Sequence, residues 1–249
     1  MGNVEPMEKE LDALKQALKK ADRVAVLTGA GISAESGVPT FRGDGGVWKN
    51  YRATDLATPE AFARDPELVW EFYNWRRDLI SQVTYNPAHK ALVDLERLVP
   101  GFTLISQNVD GLHLLAGSQN LLEIHGNIWK VRCTRCQEIT LDRSPDMGAL
   151  PKCRSCGGLL RPHVVWFGEA LDPDLLGQAI EASRNCQVML VIGTSAVVQP
   201  AASMAMEAKA GGAIVAEINL EKTPHSHIMD FGLQGKAGEI VPRLVEGWA

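Results

Sequence analysis

A glycine-rich segment at residues 26–43, "VLTGAGISAESGVPTFRG", has the composition of a phosphate-binding loop. Gly29, Gly31 and Ala34 fit the pattern G-x-G-x-x-G/A directly after an apolar run. In this pattern the small residues let bare backbone approach a pyrophosphate where a helix begins. The segment therefore predicts a nucleotide site.

The residues after this loop argue against a hydride-transferring dehydrogenase. In such enzymes a second strand ends in a ribose-binding acid about 20 residues further on, whereas this chain has the loop-like stretch "FRGDGGVWKNY" there. This stretch, with Arg42, Asp44 and Trp48, is either a mobile cover that orders over a ligand or a long surface connection. Glu221, which follows a later apolar run, could take the role of the ribose-binding acid instead.

Four of the five cysteines form two C-x2-C pairs, "CTRC" and "CRSC", which contain Cys133, Cys136, Cys153 and Cys156. This spacing is typical of a zinc site, because each pair directs two thiolates at one centre. Four sulfur ligands leave no open coordination position, so we expect a structural ion. Disulfides or free thiols are the alternatives, and a cytoplasmic setting disfavours disulfides. Cys186 is expected to be a small core residue.

The elements that would position these residues alternate between apolar strands and amphipathic helices. Short apolar runs that end in Gly, Asn or Thr are typical of buried parallel strands, so we expect a doubly wound α/β sheet with helices on both faces. The predicted strands are 23–29, 102–108, 120–126, 188–194 and 213–219, and the predicted helices are about 66–83, 87–98, 172–185 and 199–210. An additional N-terminal helix would have Leu11, Leu14 and Leu18 on one side.

Two regions interrupt the alternation. Residues 38–99 contain loop and helix without a convincing strand, and residues 127–162 contain the four paired cysteines. We assign the first to a cofactor loop and the helical part of a smaller domain, and the second to its zinc-binding module. The sheet domain would then comprise residues 1–37, 100–126 and 163–249.

The composition is that of an ordinary globular protein, with 45% hydrophobic and 22% charged residues. A net charge of −5 at pH 7 disfavours nucleic acid as a partner, because nucleic-acid binders usually concentrate Lys and Arg on one face. No apolar run approaches the roughly 20 residues that cross a bilayer. The polar N-terminus has no signal-like apolar region, so we expect a cytoplasmic protein without membrane contact.

Taken together, seven motifs in one order resemble the sirtuins, a family of NAD-dependent protein lysine deacylases. They extend over nearly the whole chain from about residue 20. The motifs are "GAGISAESGVPTFRG" at 29–43, "QNVDGLH" at 107–113, "HG" at 125–126, the two cysteine pairs, "RPHVVWFGE" at 161–169, "GTSAVVQPAA" at 193–202 and "INLE" at 218–221.

This resemblance implies a Rossmann-like NAD domain, a smaller helical and zinc-binding domain, and an acyl-lysine protein or peptide that enters the cleft between them. The reaction would give nicotinamide, deacylated lysine and O-acyl-ADP-ribose. The residues that the resemblance assigns to NAD are Gly29, Ala30, Gly31, Ile32, Ser33, Glu35, Phe41, Arg42, Trp48, Gln107, Asn108, Asp110, Gly193, Thr194, Ser195, Asn219, Leu220, Glu221 and Ala237.

The resemblance further identifies His125 as the general base and Asn108 as a second catalytic residue. An imidazole suits the first role because its ordinary pKa of about 6.5 lets it accept and return a proton near neutrality. The backbone of Val165, Phe167 and Gly168 would pair with the substrate peptide in an extended conformation.

Tyr73 and Arg76 lie three residues apart in a predicted helix, so their side chains share one face. A phenol and a guanidinium can together bind one carboxylate. The pair, with the small residue Ala57, resembles the sirtuins that remove succinyl, malonyl or glutaryl groups. We therefore expect both deacetylation and desuccinylation, although a core tyrosine beside a solvated arginine is the alternative.

Three other functions remain open at this point. The same site could support mono-ADP-ribosyl transfer or plain NAD hydrolysis, since both also begin by breaking the nicotinamide bond. A non-catalytic zinc and nucleotide-binding module is the third possibility, and the polar set Gln107, Asn108, Asp110 and His125 argues against it.

Overall fold

The structure is a computed structural model that describes residues 4–40 and 47–248. The strands are β1 Arg23–Thr28, β2 Val47–Trp48, β3 Tyr51–Arg52, β4 Gly101–Ser106, β5 Leu121–Glu123, β6 Gly126–Cys133, β7 Ile139–Leu141, β8 Leu160–Val164, β9 Val188–Ile192, β10 Ile214–Asn219 and β11 Phe231–Gln234. The α-helices are α1 Val4–Lys20, α2 Gly31–Ala34, α3 Ala53–Leu56, α4 Pro59–Arg64, α5 Pro66–Ser81, α6 Pro87–Leu98, α7 Leu112–Ala116, α8 Pro173–Asn185, α9 Met204–Ala210 and α10 Ala237–Val245.

Six of these strands form one parallel sheet in the order β11-β10-β9-β1-β4-β5. The chain order changes direction at β1, because β4 and β5 extend the sheet on one side and β9, β10 and β11 extend it on the other. Ligands of doubly wound sheets bind outside the carboxyl ends of the strands at such a point. The predicted fold class is confirmed.

Helices cover both faces of this sheet. The helices α1, α6 and α10 contribute to one apolar cluster, while α8 and α9 contribute to another. Val24 and Val26 of β1 belong to the first cluster. Ala25 and Leu27 belong to the second, as the two-residue period of a strand requires. In α1 the three predicted leucines are buried, namely Leu11, Leu14 and Leu18.

The sequence pattern does not predict β11 or the helix α10 that follows it. The strand β11 has four residues at the edge of the sheet, and Leu233 is its one fully buried side chain. Four residues are too few for the alternation of buried and exposed side chains to distinguish this strand from a loop in the sequence. The predicted strands are found, but several end one or two residues early because the residues after them form the loops at the strand ends.

The smaller part of the molecule is an antiparallel sheet in the order β7-β6-β8, packed against helix α5. Trp70, Phe72 and Tyr73 of α5 are fully buried in this contact. The strands β6 and β8 extend across the predicted domain boundaries at 126/127 and 162/163. The region 38–99 also contains the short hairpin of β2 and β3, where the pattern predicts no strand.

Arg77 connects α5 to the smaller sheet. Its side chain has no exposed surface, and its guanidinium donates to the carbonyl oxygens of Ile128 at 2.5 Å and Asp142 at 2.6 Å. A third bond reaches the Ser144 carbonyl at 2.8 Å. Burial lowers the pKa of Arg77 to about 10, so the side chain remains charged at neutral pH. Three charge-assisted bonds from one buried guanidinium therefore fix α5 relative to β6 and the segment after β7.

We expect Arg77→Met to lower the free energy of unfolding by about 2–4 kcal/mol, because three carbonyl oxygens lose a charged donor. Urea unfolding followed by circular dichroism measures the change. The control is Arg97→Met on α6, where the side chain is 69% exposed and pairs with Asp94. Equal stability of the two variants would show that the Arg77 bonds do not hold the two parts together.

Candidate active site

A cavity of about 950 Å³ lies at the carboxyl ends of the parallel strands, between the large sheet and the smaller part. Residues from both parts line it, including residues assigned to NAD, to catalysis and to the acyl group. The predicted site residues in its lining are Gly29, Ala30, Ala57, Tyr73, Arg76, Gln107, Asn108, Asp110, His125, Val165, Phe167, Gly168, Thr194 and Ser195.

The other predicted NAD residues lie beside the cavity or away from it. Ile32 and Ser33 are fully buried behind the glycine loop, and Trp48 packs against Phe72 in the core of the smaller part. Ala237 is buried at the start of α10. The remaining positions are Gly31 and Glu35 in and after α2, Gly193 after β9, and Asn219, Leu220 and Glu221 at the end of β10. Phe41 and Arg42 lie outside the described residues.

The two loops that follow β1 and β9 touch each other through their glycines. Gly31 N–H donates to the Gly193 carbonyl oxygen at 2.8 Å. A Cβ atom on Gly31 would lie 2.7 Å from Gly193 Cα, and a Cβ on Gly29 would lie 2.8 Å from Thr194 Cα. This contact between the loops therefore leaves no space for side chains at Gly29 and Gly31. From the sequence alone, the expected reason for the small residues is the approach of a pyrophosphate, and the contact is a second reason.

Behind the loops, a buried polar network joins β1 to the segment after β4. The Asn108 amide donates to the Gly29 carbonyl oxygen at 3.0 Å and to Ser33 Oγ at 3.2 Å. Ser33 Oγ in turn donates to the Asp110 carboxylate at 2.9 Å. Burial raises the pKa of Asp110, while its hydrogen bonds to Leu112 N–H and to Ser33 act in the opposite direction. The network holds the Asn108 and Asp110 side chains in fixed orientations at the cavity wall.

His125 stands in the turn between β5 and β6 and lines the cavity. Its Nδ1 lies 2.9 Å from the Gln107 carbonyl oxygen. Because a carbonyl can only accept, this contact places the ring proton on Nδ1 and leaves Nε2 of the neutral ring as the proton acceptor. Burial lowers the pKa of His125 below its ordinary value, against a smaller opposite effect of the Gln107 bond. The imidazole is therefore a neutral base at pH 7.

The turn at His125 depends on Gly126, which has a φ of +80°. A Cβ atom there would lie 2.3 Å from the His163 carbonyl oxygen of β8. The Val165 N–H donates to the His125 carbonyl oxygen at 2.9 Å. His125 and the segment that begins at Val165 are thus joined directly through the backbone.

Tyr73 and Arg76 are one helical turn apart on α5 and both line the cavity. The Arg76 guanidinium carbon lies 5.6 Å from the centroid of the Tyr73 ring. Burial raises the pKa of Tyr73, so the phenol is protonated. Phe167 N–H donates to the Ala57 carbonyl oxygen at 2.9 Å, which brings Ala57 to the same wall. The cavity thus contains a cation and a phenol beside a small side chain.

Sequence reasoning missed several residues that support this site. Trp166 and Glu169 line the cavity within the quoted motif "RPHVVWFGE", but that motif gave no role to their side chains. His89 and His113, to which no motif in the sequence assigns a role, form a buried pair of rings with centroids 4.7 Å apart. Glu169 is the last residue of the quoted motif and could have been identified from it. The contact between His89 and His113 joins distant segments and leaves no local signal in the sequence.

The four paired cysteines lie close enough to hold one metal ion. Their Sγ atoms are all within 4.8 Å of one another. The Cys133–Cys156 sulfurs are 3.4 Å apart and the Cys136–Cys153 sulfurs are 3.7 Å apart. Zn–S bonds of about 2.3 Å in a tetrahedron separate the sulfurs by about 3.8 Å, so the group fits zinc. Cys186 lies elsewhere, in the core beside β9.

No helix in the described ranges is long and apolar enough to cross a bilayer.

We expect Cys153→Ser to reduce the zinc content well below one ion per chain and to lower the free energy of unfolding by about 3 kcal/mol or more. Mass spectrometry of the metal and urea unfolding measure the two effects. The control is Cys186→Ser, which changes a buried thiol outside the group and should retain the zinc. A full complement of zinc in Cys153→Ser would contradict the four-sulfur site.

Comparison with known proteins agrees with the fold. The model of the Sir2 family matches residues 29–200. A Pyrococcus furiosus protein named NAD-dependent protein deacylase is 51% identical over 242 residues, which cover 95% of this chain and 97% of that protein.

Two solved structures are also similar. A Sir2 homologue in complex with NAD superimposes with a TM-score of 0.90 at 48% identity, and the match covers 94% of this chain and 92% of that one. A Sir2 complex with a p53 peptide and NAD⁺ gives 0.84 at 32% identity, with coverage of 95% and 97%. The family model matches more than half of the chain, and the P. furiosus deacylase shares half of its residues over nearly its full length. The chain is therefore a member of the Sir2 family, the sirtuins.

Proposed function

We propose that the protein is an NAD-dependent protein lysine deacylase that removes acetyl groups and acidic acyl groups such as succinyl. One observation carries the proposal: a neutral imidazole, the polar set around Asn108 and the Tyr73–Arg76 pair line a single cavity. The names of the relatives support the general activity, since one is a protein deacylase and others are complexes with NAD and a peptide.

The nucleotide would lie along the carboxyl ends of β1, β4, β9 and β10. Bound NAD would supply a glycosidic bond, whose cleavage would release nicotinamide and leave a ribose carbon for the acyl oxygen to attack. Gln107 donates to Thr194 Oγ1 at 3.0 Å, and Asn219 donates to the Thr194 carbonyl oxygen at 2.7 Å. These bonds connect residues at the carboxyl ends of β4, β9 and β10 along the proposed nucleotide path.

His125 would accept a proton at Nε2 from a ribose hydroxyl, because Nδ1–H is directed at the Gln107 carbonyl oxygen. Its lowered pKa keeps the ring deprotonated at neutral pH, which a base requires. Asn108, whose amide is fixed by Gly29 and Ser33, would orient the groups around the reacting carbon.

The acyl-lysine peptide would lie along residues 165–168. In the structure the N–H groups of Val165 and Phe167 already donate to His125 and Ala57. A peptide strand would therefore pair with the Gly168 N–H and with carbonyl oxygens of this segment. Its lysine side chain would then point into the cavity between His125 and α5.

The acyl group would end at Tyr73 and Arg76. An acetyl group leaves this end of the cavity empty, whereas a succinyl group brings a carboxylate to it. A guanidinium donates two parallel hydrogen bonds to a carboxylate, and a phenol can donate one more. Acidic acyl groups would thus gain binding energy that acetyl groups do not.

The activity is tested with an acetyl-lysine peptide, NAD and mass spectrometry of the products. We expect deacylated peptide, nicotinamide and O-acyl-ADP-ribose in equal amounts. His125→Ala should lower kcat/KM roughly a hundred- to ten-thousandfold because the base is lost, while the exposed His227→Ala should leave it unchanged. A modified protein would instead show ADP-ribosyl transfer, free ADP-ribose would show NAD hydrolysis, and full activity of His125→Ala would contradict the assigned base.

Acyl selectivity is tested with acetyl and succinyl forms of one peptide. Hydrogen bonds to charged groups contribute about 1.5–3 kcal/mol each. We therefore expect Arg76→Met to lower kcat/KM for the succinyl peptide roughly ten- to a hundredfold more than for the acetyl peptide. Equal losses on both peptides would refute the role of Arg76 in selectivity.

A further inference from the structure

Behind the acyl end of the cavity, Trp166 makes a hydrogen bond that the proposed function does not use. Its indole Nε1–H donates to the Tyr73 hydroxyl oxygen at 2.9 Å. Trp166 is 2% exposed and Tyr73 is 1% exposed. The bond therefore joins two buried side chains, one from the peptide-binding segment and one from α5.

The hydrogen-bonding capacities of the neighbours determine where the Tyr73 proton can go. An indole N–H is a donor only, and so is a guanidinium. Trp166 thus makes the phenol oxygen an acceptor, and Arg76, which also interacts with the phenol, can offer no acceptor. Across the described ranges no residue accepts a hydrogen bond from this hydroxyl. An acceptor entering the cavity would receive the proton.

Trp166 is itself held on several sides. The Arg161 guanidinium carbon lies 3.4 Å from the centroid of the indole ring, and the Phe62 ring centroid lies 5.1 Å away. The Glu169 carboxylate accepts from Arg161 Nη1 at 2.6 Å and from the backbone N–H of Trp166 at 2.8 Å. The ion pair and the stacking leave the indole little freedom to rotate, so its N–H keeps one direction.

We propose that Trp166 is a positioning residue for acyl selectivity, whose indole N–H orients the Tyr73 hydroxyl so that its proton is presented to the terminal carboxylate of the acyl chain. This inference rests on the proposed acidic-acyl activity. The new element is that recognition of the carboxylate depends on a residue of the proposed peptide-binding segment that does not touch the carboxylate itself. Selectivity would then be set jointly by α5 and by residues 161–169.

The test is a double-mutant cycle on the ratio of kcat/KM for succinyl and acetyl peptides. Trp166→Phe keeps an apolar ring and removes the N–H, and we expect the ratio to fall roughly three- to tenfold, mainly through KM for the succinyl peptide. In the Tyr73→Phe background the same substitution should leave the ratio unchanged, because the hydroxyl that it orients is absent. Replacing Trp166 by benzothienylalanine, which keeps the bicyclic shape without the N–H, should give the same result.

The matched control is Trp70→Phe. Trp70 is also a buried tryptophan, and its Nε1–H donates to the Leu160 carbonyl oxygen at 2.9 Å, so this variant loses a comparable bond outside the cavity lining. It should leave the ratio unchanged. An unchanged ratio in both Trp166 variants, or an equal fall in the Tyr73→Phe background, would overturn the inference while leaving the acyl proposal intact. If Tyr73→Phe and Arg76→Met alone leave the ratio unchanged, the acyl proposal fails and the inference fails with it.

Discussion

The close contact between the loops that follow β1 and β9 is the constraint on which the candidate site depends. Gly31 and Gly193 approach so closely that neither position has room for a Cβ atom. This contact lies where the strand order changes direction, and it includes Gly29, whose carbonyl oxygen accepts from the Asn108 amide. A bulkier loop would separate the strand ends and displace the polar residues that follow β1 and β4.

The smaller part provides the opposite wall of the cavity, including Tyr73 and Arg76. Residues 165–167 are bonded to His125 at one end and to Ala57 at the other. Helix α5, which contains Tyr73 and Arg76, is fixed to the smaller sheet by Arg77. The cysteine group, whose sulfurs are spaced to hold zinc, lies at the far end of the same sheet. The proposed base, the proposed peptide segment and the Tyr73–Arg76 pair are therefore parts of one connected assembly, although they come from distant stretches of the chain.

Much of this could be predicted from the sequence because its signals are local. Apolar runs predicted five of the six strands of the large sheet, and cysteine spacing predicted the metal-binding group, whose sulfurs the structure brings together. The rest depends on contacts between distant segments. The bonds from Arg77 to residues 128, 142 and 144, and the bond from Trp166 to Tyr73, join residues whose partners no periodicity reveals. The edge strand β11 is too short to show its alternation.

A crystal structure with NAD and a succinyl-lysine peptide bound together tests the central claim most directly, namely that base, nucleotide and acyl carboxylate meet in one cavity. The account predicts His125 Nε2 facing the nicotinamide ribose. It also predicts the acyl carboxylate within about 3 Å of the Tyr73 hydroxyl and the Arg76 guanidinium. A ribose bound away from His125, or an acyl carboxylate that points into solvent, would contradict it.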